Sequence, residues 1–149
     1  MKKFDTKYMA RAGVIAALYV VMTVVMGSLG YGPIQFRVSE ALVMLPYIES
    51  AAVPGVFIGC VLANIFGGYG LIDIICGSIV TLVAAYLTSR IKNRFIASLP
   101  PIVLNALIVP IWVSKIANLP YWPTVLDFAL SEAAAVLVLG NILLFAIEK

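Results

Sequence analysis

Between Ala12 and Leu29 the chain runs for 18 residues without one charged side chain. Similar apolar runs return at 41–66, 71–89, 96–114 and 125–147. Runs of this length sit near the ~20 residues that a helix needs to cross a bilayer core. Composition agrees: 63% of the 149 residues are hydrophobic, 11% are charged, and the mean hydropathy is +1.09. Ordinary globular domains carry about a quarter charged residues. The expectation is therefore an all-α integral membrane protein forming a single transmembrane domain over 1–149.

The breaks between runs set the helix count. Gly27, Gly30, Gly32 and Pro33 end the first run. Pro46, Glu49-Ser50 and Pro54 divide 41–66, because a charge at mid-bilayer costs about 2.5–3.5 kcal/mol on insertion scales. Gly67-Gly68-Tyr69-Gly70 makes the next turn, Arg90, Lys92 and Arg94 the one after, and Pro120, Trp122 and Pro123 an outer loop. Six helices follow, at about 8–29, 39–48, 52–66, 71–89, 96–114 and 125–147. Ser39 is expected to cap the second, with Glu40 in its first turn.

Charge sets the orientation. With six helices and a cytoplasmic N-terminus, Lys2, Lys3, Lys7, Arg11, Arg90, Lys92, Arg94 and Lys149 lie inside, and only Arg37 and Lys115 outside. That is a strong positive-inside bias. Five helices would place the 90–94 cluster outside and are rejected for that reason. The N-terminal apolar stretch is too long for a cleaved signal and lacks a cleavage site.

In this frame Arg37, Glu40, Asn64, Asp73, Lys115, Asp127 and Glu132 fall in the outer half or the outer loops, with Asn105 near mid-depth. Tyr31, Phe36, Tyr69, Trp112, Tyr121 and Trp122 crowd the same level, where an aromatic belt accounts for some of them. Asp73 and Asp127 also suit the first turn of a helix. Glu132 has no such explanation. It lies about 16 residues, or roughly 24 Å, above the inner end of its helix. An intramembrane carboxylate is by default a functional-site candidate, with an ion pair to Arg37 or Lys115 as the rival.

The sequence has no His, and Cys60 and Cys76 have no metal-site spacing. No catalytic constellation or phosphate-cradling motif is present, which argues against an enzyme. A channel would need repeated polar lining. A one-sided pocket that takes a small polar aromatic solute from outside fits best, and such a protein needs a partner to complete transport. A helical membrane protein that assembles or regulates a complex, with the polar residues as structural ion pairs, stays open.

The block Gln35-Phe36-Arg37-Val38-Ser39-Glu40-Ala41-Leu42 followed by Leu45-Pro46 resembles the signature of the QueT family, as does Asn64-Ile65-Phe66-Gly67-Gly68-Tyr69-Gly70 with Asp73. The resemblance runs over essentially the whole chain. It implies a substrate-binding (S) component of an energy-coupling factor transporter in a bacterial cell membrane, taking up a queuosine precursor, a 7-deazaguanine such as preQ1 or queuine. It also implies docking on a coupling module made of a transmembrane protein and two cytoplasmic ATPases. No Walker motif occurs here, and no cofactor and no nucleic-acid partner are implied.

Two small-xxx-small pairs on the first helix, Ala12/Ala16 and Gly13/Ala17, give a flat face for another helix. S components use such a face to meet the coupling subunit; an internal bundle contact is the alternative. For the ligand, Glu132 or Glu40 suits a guanine-like N–H edge, and Arg37 or Asn64 its carbonyl. Trp112, Tyr69 or Phe36 suits its flat face, and Asp73 or Asp127 an aminomethyl cation. Asn105 completes the candidate set. The sequence does not separate one queuosine precursor from another, or from a vitamin such as thiamine.

Overall fold

The computed structural model describes residues 5–32 and 35–149, and among them every regular element is helical. Lys2, Lys3 and Pro33, used above for orientation and turns, lie outside the described residues.

Helix α1 spans Thr6–Val25 and starts on Asp5, whose carboxylate accepts from the amides of Lys7 and Tyr8. It stops short of the expected residue 29 because Gly27 adopts a positive φ of 54°. That conformation suits glycine and breaks the helical ladder. A single further turn, Ser28–Tyr31, follows.

The next rod is a 3₁₀ segment, Val38–Tyr47. Rising about 2.0 Å per residue against 1.5 Å for an α-helix, its 10 residues reach about 20 Å. The tighter winding lets a short stretch carry the chain far back along the bundle. Ser39 does not cap this segment. Arg37 occupies the cap position without a side-chain cap bond, while the buried Ser39 hydroxyl meets Thr23 Oγ1 of α1 at 2.6 Å.

Helix α2 spans Ala52–Gly67 and ends on Gly68 in the left-handed region. Helix α3 spans Asp73–Arg90, α4 Arg94–Ile116 and α5 Tyr121–Glu148. Asn93 caps α4 by accepting from the amides of Phe95 and Ile96. Wide π turns open α3 at Asp73–Gly77 and continue α5 at Ala133–Gly140. The boundaries fall within a few residues of those expected. Helices α1, α3, α4 and α5 are long and apolar enough to cross a membrane, and α2 and the 3₁₀ segment are shorter.

Side-chain contacts give the directions. Arg11 meets Glu49 and Tyr19 meets Glu40, so the 3₁₀ segment runs back along α1. Gly55 lies against Ala12 and Gly59 against Ala16 and Tyr19, so α2 runs parallel to α1. Cys60–Thr81 and Asn64–Asp73 set α3 antiparallel to α2. Asp73–Trp112 and Thr88–Ala97 reverse the direction again for α4, and Ser98–Asn141 does so for α5. Each rod thus runs opposite to the one before it.

The main apolar core gathers Val43, Met44, Val56, Val136 and Leu144; a smaller one gathers Val80, Val109, Trp112, Val113 and Phe128. Large apolar side chains such as Val21, Phe66, Leu71, Leu130 and Ile142 are exposed all round. So much uncovered apolar surface suits lipid rather than water.

Ala12 and Ala16 belong to the interior. Both are buried, and α2 comes so close that a Cβ on Gly55 would stand 2.9 Å from the Ala12 carbonyl oxygen. On Gly59 it would stand 2.7 Å from Tyr19 Cβ. The Ala12/Ala16 pair therefore serves the α1–α2 contact, the alternative weighed above. Gly13 and Ala17, on the neighbouring stripe, are exposed.

Candidate binding site

Five rods converge on one buried polar cavity at the end of the bundle reached by the 3₁₀ segment's first residues. It is lined by Gln35 and Arg37 just before the 3₁₀ segment, by Glu40 within it, and by Cys60 and Asn64 from α2. Helix α3 adds Asp73, Gly77 and Thr81, α4 adds Asn105 and Val109, and α5 adds Phe128, Ser131 and Glu132. Six of the nine expected binding residues are thus brought together: Arg37, Glu40, Asn64, Asp73, Asn105 and Glu132.

The charged groups are held from behind. Arg37 donates from Nε to the Gly30 carbonyl oxygen at 2.9 Å and from a terminal nitrogen to Asn64 Oδ1 at 2.9 Å. Asn64 in turn donates from Nδ2 to the Asp73 backbone oxygen at 3.1 Å. Trp112 donates its indole N–H to Asp73 Oδ1 at 2.9 Å, and Tyr19 donates its hydroxyl to Glu40 Oε1. Asn105 stands beside Glu132.

What remains is a set of unmet demands. Among the described residues, Glu40 Oε2, Asp73 Oδ2, Glu132 Oε2, Gln35 Nε2 and Asn105 Nδ2 are buried with no hydrogen-bond partner. Each such atom costs about 1–3 kcal/mol, more when charged. Ion pairing does not relieve them: the salt bridges among the described residues are Arg11–Glu49 and Arg94–Glu148, both elsewhere. Glu132 pairs with neither Arg37 nor Lys115, and Lys115 is exposed. No group of three or more metal-ligating side chains occurs among the described residues. The site offers hydrogen bonds and charge.

Residues 9–149 match the QueT transporter family. The chain belongs to that family. The protein named queuosine precursor transporter QueT, from Lactococcus lactis subsp. cremoris (strain MG1363), is 38% identical over 97 residues, covering 64% of this chain and 57% of the relative. The match therefore spans little more than half of that relative's length. No solved structure matches. Both the family and this relative are named as transporters.

The aromatic assignments change. Phe36, Tyr69 and Trp112 do not line the cavity of this QueT chain; Phe128 does. Trp112 stands one layer back because Asp73 draws its N–H, and Tyr69 packs on the smaller apolar core. Phe36 is half-buried, with its amide bonded to the Leu29 carbonyl oxygen. Asp127 also lies off the cavity, accepting from the Gln35 backbone amide. Phe128 sits four residues before Glu132 and so shares its helix face, which is the signal that could have revealed it. Gly77 has a spatial reason: a Cβ there would come within 3.2 Å of both Asn64 Nδ2 and Asp73 Oδ1. Cys60 Sγ and Thr81 Oγ1, 3.4 Å apart, close the wall.

The cavity's open volume is about 20 Å³, close to what one water needs.

Proposed function

We propose that this QueT chain is the substrate-binding subunit of an energy-coupling factor uptake transporter and that its cavity takes a 7-deazaguanine queuosine precursor from outside. The reading rests on one observation above all: five buried, unpartnered polar atoms belong to residues that line one cavity, in a chain otherwise dressed in apolar side chains. Buried polar groups are normally satisfied within the fold. Three carboxylates and two amides left open together are a demand that a ligand meets.

The chemistry matches the proposed ligand. A guanine-like edge presents a ring N–H beside an exocyclic amine, which one carboxylate accepts in bidentate fashion; Glu132 and Glu40 are the candidates. Arg37 supplies donors for the carbonyl, and Phe128 a face for stacking. Asp73, with one oxygen held by Trp112, has the other free for an aminomethyl cation.

In this reading the six alternating rods all cross the membrane, with both termini and the 90–94 loop cytoplasmic and the cavity toward the outside. The exposed Gly13/Ala17 stripe of α1 is the surface offered to a coupling module, a transmembrane protein with two ATPases. The alternative of an assembly protein whose polar cluster consists of ion pairs is disfavoured, because the cluster contains none among the described residues.

Equilibrium binding of the purified protein to a panel of 7-deazaguanines and vitamins tests the reading. Tight binding of a 7-deazaguanine, and not of thiamine, is expected. Binding of a vitamin alone, or of nothing in the panel, refutes the substrate assignment.

A further inference from the structure

Helix α1 adds no side chain to the cavity lining, yet it grips the segment that supplies three lining residues. Two α1 side chains one turn apart, Tyr19 and Thr23, hold two adjacent residues, Glu40 and Ser39. Thr23 gives its own proton to the Tyr19 carbonyl oxygen at 2.8 Å, so in the contact with Ser39 the serine donates. A third hold lies just beyond, where Arg37 donates to the carbonyl oxygen of Gly30.

Tyr19 has no room to drift. It is fully buried, and α2 presses on it so closely that a Cβ on Gly59 would approach Tyr19 Cβ to 2.7 Å. Its hydroxyl therefore stands at a fixed point and takes one oxygen of Glu40. The other oxygen, Oε2, is buried and unpartnered, and Glu40 is one of the residues that line the cavity. A carboxylate pinned through one oxygen presents the second in a fixed direction, the geometry a ligand donor needs.

Building on the proposed function, we propose that Tyr19 is a positioning residue of the binding site: it acts on the ligand through Glu40, by aiming Glu40 Oε2 into the cavity. A tyrosine that merely filled the core would affect stability and leave its effect on ligand affinity independent of Glu40.

The test is a double-mutant cycle of wild type, Tyr19→Phe, Glu40→Leu and the double variant, each titrated with 7-aminomethyl-7-deazaguanine and each melted without ligand. Phenylalanine keeps the ring and its packing and removes only the hydroxyl that Glu40 meets, and the melting curves report the stability cost of that loss. Tyr19→Phe is expected to weaken binding about ten-fold in the wild-type background and to leave it unchanged once Glu40 is Leu, the non-additivity of groups acting as one. Equal losses in both backgrounds, or wild-type affinity for Tyr19→Phe, overturn the proposal whatever the melting temperatures show. If the wild type binds no 7-deazaguanine, the proposed function falls. The infrared carboxyl band that disappears in Glu40→Leu then decides: a shift of that band in Tyr19→Phe upholds the positioning, and an unmoved band overturns it.

Discussion

Arg37 and Glu132 line the same buried cavity and form no ion pair. Opposite charges inside a low-dielectric interior attract strongly, and a protein that used them for stability would bring them into contact. Here Arg37 is tied instead to the Gly30 carbonyl and the Asn64 amide, and Glu132 Oε2 is left open. In the proposed function, separation leaves both groups for the ligand.

Arg37→Lys keeps the charge and loses the fork. The guanidinium reaches Gly30 and Asn64 with two different nitrogens, which one ammonium does not reproduce. Ligand affinity should fall at least about ten-fold, a loss of roughly 1.4 kcal/mol. Titration of the purified variant checks it.

Gly77→Ala places a methyl 3.2 Å from Asn64 Nδ2 and from Asp73 Oδ1. Asn64 is tied to Arg37 and to the Asp73 backbone and has little freedom to yield. Overpacking of this kind typically costs about 1–3 kcal/mol. The expected result is weaker ligand binding together with a lower melting temperature.

The two small-residue stripes of α1 should respond differently. Ala16→Leu puts a bulky side chain at a buried position where α1 and α2 lie close together and should lower stability, by about 1–3 kcal/mol. Gly13→Leu with Ala17→Leu alters an exposed stripe. That double variant should melt and bind ligand as wild type does while failing to co-purify with the coupling protein. Normal assembly would remove the stripe from the docking surface.

Topology is open to cysteine labelling in a background with Cys60 and Cys76 replaced by alanine. Asn93 and Asn118 are both exposed and lie at opposite ends of α4. Asn93→Cys should react only from the cytoplasmic side and Asn118→Cys only from outside. The reverse pattern inverts the orientation.

Much of this was legible in the sequence because lipid simplifies the reading. Charged and polar side chains interrupt apolar runs so rarely that Arg37, Glu40, Asn64, Asp73, Asn105 and Glu132 stood out, and they share one cavity. Partnerships among residues that all suit an interior were hidden. Tyr19 reads as one more apolar position on α1 until the fold sets its hydroxyl on Glu40. Trp112 looks like a stacking platform until Asp73 captures its N–H. Ala12 and Ala16 look like an outward face until Gly55 and Gly59 close on them. The 3₁₀ winding of Val38–Tyr47 is not revealed by any periodicity in its ten residues.

Glu132 carries the central claim, and one protein tests it. Glu132→Gln keeps the side chain's shape, removes its charge and turns one acceptor oxygen into a donor. A neutral amide is cheaper to bury than a carboxylate, so melting without ligand should stay near or above wild type. A charge-assisted hydrogen bond lost to the ligand is worth about 1.5–3 kcal/mol, roughly ten- to a hundred-fold in affinity. Titration of Glu132→Gln with 7-aminomethyl-7-deazaguanine, alongside its melting curve, should therefore show weakened binding in a stable protein. Unchanged affinity with a large drop in melting temperature would contradict the account and make Glu132 a structural group.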